Sequence, residues 1–252
     1  MKMVFQMTVE IHWRSERGGQ KNGNQDYCGV GLRPEGVLCV VLDGFSTKPK
    51  SGELVRLVAK DLIDWFMSSD KQVSTDELIC QMREIHKERL PILLQASASY
   101  LIVLIIHEQP PVILYSGDCL MGYLDKKSTI HWQIQPHTLA NATCNLPIAE
   151  LAESALRNKL TQSFRANQYM IPNNMSVSAK KGETLVIATD GFWAELNEDE
   201  QGRFLADEVL PKEVIKDDCS ALNINIHSKD IASSVKTTTS GNVYVVQSDA
   251  IF

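Results

Sequence analysis

The chain has no long apolar run, no excess of positive charge, no paired-cysteine motif and no internal repeat, and each absence removes a class of protein from consideration. Its longest apolar stretch, SYLIVLII over 99–106, is too short to span a bilayer as a helix, so no membrane partner is expected. The opening MKMVFQMTVEIHWRSER has an early lysine, but Gln6, Thr8 and Glu10 interrupt its apolar residues and no small-residue cleavage site follows. It reads as an alternating strand and not as a signal peptide. With 25 Lys and Arg against 31 Asp and Glu the formal net charge is −6, and the two signs are interspersed. There is no basic stripe of the kind that phosphate-backbone binding needs, so nucleic acid is not expected as a partner. The six cysteines, Cys28, Cys39, Cys80, Cys119, Cys144 and Cys219, show neither CxxC nor zinc spacing. Most lie in or beside apolar runs, where a free thiol behaves as a small hydrophobe, and a reducing, cytoplasmic location follows as the expectation. The six histidines have no metal-type spacing either and read as ordinary surface or packed side chains.

What is present is an ordinary globular composition, 44% hydrophobic and 22% charged over 252 residues, enough for one large domain or two small ones with a substantial core. The spacing predicts strands over 3–13, 26–32 and 36–42, the last apolar throughout (VLCVVL) as in a strand buried on both faces. Helices are predicted over 51–67, with Ser51 as N-cap and a stripe of Leu54, Leu57, Val58, Leu62, Trp65 and Phe66, and from Ser74 or Thr75 to the break at Pro91. Two consecutive helices imply a helical hairpin. The runs 97–107, 111–116, 120–124 and 128–134, joined by short turns, read as an antiparallel meander. A short helix over 148–160, strands over 174–179, 183–189 and 219–226 and a helical stretch over 198–209 complete the series, followed by a polar run and VYVV at 243–246 as an edge strand. Alternating βα units are missing, so the expected class is α+β: a four-layer αββα sandwich of two antiparallel sheets flanked by helices.

Aspartates recur where apolar strand runs break into turns: Asp26, Asp43 in VLCVVLDG, Asp118 in VILYSGD, Asp190 in TLVIATDG and Asp217 in IKDDCSALNI. One Asp-Gly pair alone is most simply a turn. Several carboxylates pinned by rigid strand ends, converging at one edge, can instead hold hard divalent cations through oxygen ligands, which points to a metal-dependent hydrolase.

The ordered elements GQKNGNQD (19–26), VVLDGF (40–45), ASAS (96–99), YSGDCLMGYL (115–124), LTQSF (160–164), GETLVIATDGFW (182–193) and DDCSALNI (217–224) resemble the metal-dependent serine/threonine protein phosphatases of the 2C type, in look the compact bacterial members. The resemblance covers roughly residues 8–226. It implies a phosphatase-like catalytic domain over 1–226, with 227–252 as a C-terminal extension of the same domain. It further implies hydrolysis of phosphoserine or phosphothreonine in proteins by a water bridging two Mg²⁺ or Mn²⁺ ions, a third ion bound more weakly, a phosphorylated protein as substrate and a Ser/Thr kinase as counterpart. Under it, Asp43 bridges two metals and Gly44 offers a backbone carbonyl. Asp190 and Asp217 complete the ligands, Asp26 acts at the binuclear centre directly or through water, Asp118 helps hold the third ion, and Lys21 takes the place of a phosphate-gripping arginine. Asp26 and Asp43 are thus the catalytic pair.

This sequence departs from that pattern at four places. Lys21 keeps the charge and loses the bidentate fork. Phe45 stands where a general-acid histidine occurs in many members, and Cys119 and Leu120 replace a Ser-Arg pair. The closing acidic element has two candidates, DDCSALNI with Asp217 (and Asp218 beside it) and SGNVYVV (240–246) with Gly241 at the acid's position. Lys21, Cys119 and Leu120 motivate a second reading, a phosphatase-like regulatory or binding module. An enzyme of the haloacid dehalogenase type is a weaker third, since VLDGFST has a single aspartate where that chemistry needs DxD. Lys48 and Lys50 read as a solvated loop, and Trp193 as core packing.

Overall fold

Val9, Ile11 and Trp13 alternate with Thr8, Glu10 and His12, the period-two pattern of a strand with one face on a core, and they form β1 (Thr8–Glu16). In chain order follow β2 (Asp26–Arg33), β3 (Gly36–Gly44), α1 (Ser51–Ser68), α2 (Thr75–Arg89), β4 (Ser97–Ile106), β5 (Val112–Ser116), β6 (Leu120–Leu124), β7 (Ile130–Trp132), α3 (Ile148–Glu153), β8 (Phe164–Arg165), β9 (Asn173–Ser176), β10 (Thr184–Ala188), α4 (Asp190–Trp193), α5 (Glu198–Leu205), β11 (Cys219–His227), β12 (Ser234–Thr237) and β13 (Val243–Gln247). This is a computed structural model, and it describes residues 8–19, 21–89, 92–165, 167–177, 183–211, 213–227, 233–238 and 241–248. The beginning of the first expected strand (3–7), the position of Pro91 and residues 178–179 lie outside the described residues.

The strands build two sheets, one ordered β12-β1-β11-β10-β6-β7 and one ordered β13-β2-β3-β4-β5-β9 with β8 beside β4. The expected α+β sandwich is what forms. β3 shows why the layers stack: Val37, Cys39 and Val41 face the core between the sheets, while Leu38, Val40 and Leu42 face the helices. Opposite β3, Leu54, Val58, Leu62 and Phe66 of α1 are buried, and each such side chain contributes about 1.5–3 kcal/mol by leaving water. α1 and α2 make the expected hairpin, clasped by Arg89, whose guanidinium donates to both carboxylate oxygens of Asp61 at 2.6–2.8 Å. The layer on the other sheet is thinner. There Arg14 of β1 stacks its guanidinium 4.1 Å over the Phe204 ring of α5 and donates to the carbonyls of Phe204 and Glu208. Among the described residues no helix is long and apolar enough to cross a membrane.

Five details differ from expectation. Both sheets are antiparallel except at one edge, where β12 runs parallel to β1 and β13 parallel to β2. β5 and β6 are not hairpin neighbours: β5 pairs with β4 in the seven-stranded sheet and β6 with β10 in the six-stranded one. The chain crosses between sheets at Gly117-Asp118-Cys119, and Gly117 has φ +102°, where a Cβ would lie 2.2 Å from the Ser99 hydroxyl. The helix expected over 148–160 stops at Glu153, because Leu156 is 41% exposed and offers no stripe to continue, while the Ser154 hydroxyl accepts the Leu156 N–H at 3.3 Å. Ser51 is the first residue of α1 and not its cap; Lys50 caps it at φ 64°, and the buried Ser51 hydroxyl accepts the N–H of Ser97 where β4 begins. Likewise α5 ends at Leu205, short of 209, just before Asp207 at φ 62°.

Candidate active site

Strand register brings the aspartates to one edge of the sandwich. Asp26 and Asp43 sit directly opposite each other at the ends of β2 and β3, and Ser99 of β4 is opposite Asp43. In the other sheet Ser15 pairs with Ser220, and Ala188 with Ala221, so Asp190 leaves β10 at the end where Asp217 and Asp218 lead into β11. The crossing at Gly117 adds Asp118 between the sheets.

Each carboxylate is held differently. Asp26 is buried, and its Oδ2 accepts hydroxyl protons from Ser220 at 2.6 Å and Thr189 at 2.8 Å. Its Oδ1 is buried without a hydrogen-bond partner. Asp118 accepts from the Ser99 hydroxyl at 2.5 Å, and its carbonyl accepts from the Trp193 indole at 2.9 Å. Trp193 is therefore a core residue, as expected, with a polar task. Asp190 opens α4 and accepts from Arg157 at 3.1 Å, and the same guanidinium reaches Glu195 at 3.6 Å. The glycine after Asp190 is required by contact, since a Cβ on Gly191 would lie 2.1 Å from the carbonyl oxygen of Asp218.

Asp217 and Asp218 have separate tasks. Asp218 is 4% exposed and accepts the backbone N–H groups of Gly18 at 3.0 Å and Gln25 at 2.8 Å, one on each oxygen, so it clamps the loop that leads to Asp26. Asp217 has a side chain 38% exposed and pairs with Lys21 at 2.8 Å. Lys21 also donates to the Ser46 hydroxyl at 2.7 Å, so it spans from the Asp217 turn to the loop after Gly44. Gly44 is buried, its N–H bonded to the carbonyl of Gln25 at 3.1 Å. Asp218→Ala strands two buried N–H groups and is expected to cost about 3 kcal/mol, or about 6–12 °C of melting temperature. Asp217→Ala should shift it by less than about 2 °C without metal. Thermal denaturation of both variants measures this, and equal losses would contradict the division of tasks.

The five carboxylates feel one another. Burial pushes Asp43 well above the usual carboxylate range, and Asp26, Asp190, Asp118 and Asp217 push it further the same way. Burial raises Asp26, with Asp218 adding to it against the Ser220 and Thr189 hydroxyls. Burial also raises Asp118, opposed by Ser99, and lifts Asp190 to about 7, opposed by Arg157. Burial works against the charge on Lys21, but the Asp217 carboxylate outweighs it and the net shift is upward. This is a set of hard oxygen donors short of positive charge, with one buried oxygen unpartnered, and it suits Mg²⁺ or Mn²⁺ in donor type. As the side chains stand, no group of three or more His, Cys, Asp or Glu among the described residues is arranged to hold a metal ion.

Arg157, Glu195, Ser15 and Asn242 also belong to this neighbourhood and carry no local motif. Glu195 accepts from Arg157 and from the N–H of Asp217 at 3.0 Å, so it ties that turn to α4. Asn242, in the tail segment that competed with DDCSALNI, lies beside Asp26 as well: its amide donates to the Asp26 carbonyl at 3.1 Å. Both segments thus reach the site, one with carboxylates and one with an amide. Four histidines are engaged elsewhere: His12, His131 and His227 pair with Asp207, Asp125 and Glu10, and His86 is buried against the Arg165 carbonyl, whereas His137 Nδ1 accepts the Gly117 N–H at 3.1 Å beside the crossing. Lys48 and Lys50 are exposed, as expected of a solvated loop.

No protein-family model matches the sequence, and no curated protein matches it either. Solved structures match along the fold. A serine/threonine phosphatase from S. agalactiae superimposes with TM-score 0.69 at 17% identity, covering 86% of this chain and 99% of that one. The PPM Ser-Thr phosphatase MsPP from Mycobacterium smegmatis, in complex with cacodylate, gives TM-score 0.68 at 17% identity over 86% and 99%. The catalytic domain of the serine threonine protein phosphatase PstP, in complex with 2 manganese ions, gives 0.64 at 13% identity over 88% and 99%. The resemblance read from the motifs is borne out at the level of the fold.

Proposed function

We propose that this chain, which has the fold of the bacterial PPM-type phosphatases, is a Mg²⁺- or Mn²⁺-dependent phosphatase of phosphoserine and phosphothreonine in proteins. One observation carries the reading: carboxylates from five separate segments converge at one edge of the sandwich, where burial and then the neighbouring acids raise the pKa of Asp26, Asp43, Asp118 and Asp190. That cost is sustained in a folded protein when a cation offsets it. The neighbour PstP with its two manganese ions supports the same identity for the ions.

Asp43, Asp190 and Asp217, with the Gly44 carbonyl, are the groups proposed to hold two ions, and Asp26 acts beside them through its unpartnered Oδ1. When bound, such a pair supplies hydroxide near neutral pH and offsets charge on the phosphoryl oxygens. The chain's residues do the rest. Lys21, on the exposed side, releases Asp217 and orients the substrate phosphate as a point charge. Ser220 and Thr189 fix Asp26 Oδ2, and Trp193 and Ser99 fix Asp118. Phe45 has no proton to give, so the leaving oxygen takes its proton from solvent. Asp118 is proposed as the protein side of a weaker third site, with Arg157 as a competing cation close by.

A kinase acting on Ser or Thr is the enzyme class that must supply this substrate, and the unpaired cysteines accord with a cytoplasmic setting. The test is hydrolysis of p-nitrophenyl phosphate and of a phosphothreonine peptide with Mn²⁺, with and without chelator. Chelator-sensitive turnover of both supports the reading. One observation favours the second reading, a regulatory or binding module: Lys21 and Arg157 already neutralise part of Asp217 and Asp190. Tight Mn²⁺ binding with no turnover of either substrate would select it.

A further inference from the structure

The last two strands retrace the path of the first two. β1 runs to the site edge of the six-stranded sheet, the chain crosses, and β2 runs back through the seven-stranded sheet. β12 lies parallel on β1 with Thr237 opposite Trp13, the chain crosses again, and β13 starts parallel on β2 with Val243 opposite Cys28. β12 and β13 are the edge strands beside β1 and β2, and Asn242, just before β13, is 7% exposed.

Asn242 makes three contacts inward. Its carbonyl accepts the Cys28 N–H at 3.0 Å, and its side-chain amide donates to the Asp26 carbonyl at 3.1 Å and to the Ser15 hydroxyl at 2.6 Å. The Asp26 carbonyl can only accept, which identifies the atom facing it as nitrogen. Ser15 Oγ accepts from the amides of Asn242 and Asn24 (2.8 Å) and from the Ser220 hydroxyl at 2.6 Å, and the same Ser220 hydroxyl is placed to donate to Asp26 Oδ2, also at 2.6 Å.

We infer that Asn242 is a positioning residue for the carboxylate centre: from the C-terminal strand pair it anchors the Asp26 backbone and, through Ser15 Oγ, holds the Ser220 hydroxyl beside Asp26 Oδ2. With Oδ2 supplied with protons by Ser220 and Thr189, the acceptor capacity of Asp26 is concentrated on Oδ1. The described tail residues 233–238 and 241–248 include no carboxylate, and they act on the site through the Asn242 amide. The metal-affinity arm below rests on the functional reading above; the anchoring arm does not.

The experiment compares the full chain with Asn242→Ala, Asn242→Asp and Tyr244→Phe. Asn242→Asp keeps the shape but sets a carboxylate oxygen against the Asp26 carbonyl, where a donor is needed. Tyr244→Phe is the control: it removes the hydroxyl that bonds Asp64 at 2.6 Å and so loosens β13 away from Asp26. In metal-free protein, amide exchange over residues 24–28 is expected to quicken about 10-fold in both Asn242 variants and to stay unchanged in Tyr244→Phe. Mn²⁺ affinity, by calorimetry without substrate, is expected to fall about 10-fold or more in both Asn242 variants and not in the control. Exchange and affinity at wild-type levels in Asn242→Asp, or losses matched by Tyr244→Phe, would overturn the inference. If wild type itself binds no Mn²⁺, the functional reading falls, and the exchange arm still decides whether Asn242 anchors Asp26.

Discussion

Asp43→Asn is expected to lose Mn²⁺-dependent turnover of p-nitrophenyl phosphate by about 10³-fold or more, equivalent to about 4 kcal/mol of barrier, and to gain stability in the absence of metal. The two effects share one cause. Asp43 sits opposite Asp26, and every influence on its carboxyl (burial, then Asp26, Asp190, Asp118 and Asp217) raises its pKa. An amide of the same shape abolishes that repulsion and removes the proposed bridging ligand. Thermal denaturation with chelator should show a rise of a few degrees, about 3–6 °C, larger at pH 8 than at pH 6. A variant that keeps turnover within tenfold of wild type, or that melts lower than wild type without metal, would remove Asp43 from the centre.

Saturating Mn²⁺ is expected to raise the melting temperature of wild type by about 5–10 °C at pH 7.5, from a linkage of about 2.7 kcal/mol at a hundred times the dissociation constant. The gain should shrink to about 2 °C or less at pH 5.5 and be largely lost in Asp43→Asn. The sign follows from the direction of the shifts. Asp26, Asp43, Asp118 and Asp190 have folded pKa values raised above the unfolded carboxylate range, Asp190 to about 7. The folded state therefore binds more protons than the unfolded one from about pH 4 upward, and metal-free stability falls as pH rises through the folded values. A divalent cation takes the place of those protons, so its effect grows over the same window. Burial lowers the pKa of His12 and His137, which shift stability in the opposite sense, and comparison with and without Mn²⁺ at each pH cancels them. An equal gain at both pH values, or none at either, would contradict a carboxylate site.

What the sequence discloses of this fold is mostly local. The period of two in Val9, Ile11 and Trp13, the stripe of α1 and the apolar β3 depend on neighbours within a few residues, and all three elements form, β1 running on past the expected end at 13 to Glu16. The aspartates could be read for the same reason, since each marks the end of its own strand. Pairings made across the chain leave no such trace. Arg157 meets Asp190 only because the predicted helix stops short and turns toward the acids, and nothing near Arg157 signals it. The link at Gly117 has the length of a hairpin turn, and only its left-handed backbone and the fit against Ser99 send it to the other sheet. Asp217 and Asp218 are adjacent acids with the same chemistry, and burial alone divides ligand candidate from loop clamp.

The second crossing also bears on how the protein comes into being. Asp26 is made well before the groups that fix it, since Thr189, Ser220 and Asn242 are 163, 194 and 216 residues further along. A nascent chain can form the β2–β3 hairpin and pack α1 on it long before those groups exist. Its carboxylates are then unassembled, and the centre closes only when β13 is laid beside β2. Assembly of the site thereby waits for β13, so that a chain translated only as far as β11 carries no finished centre.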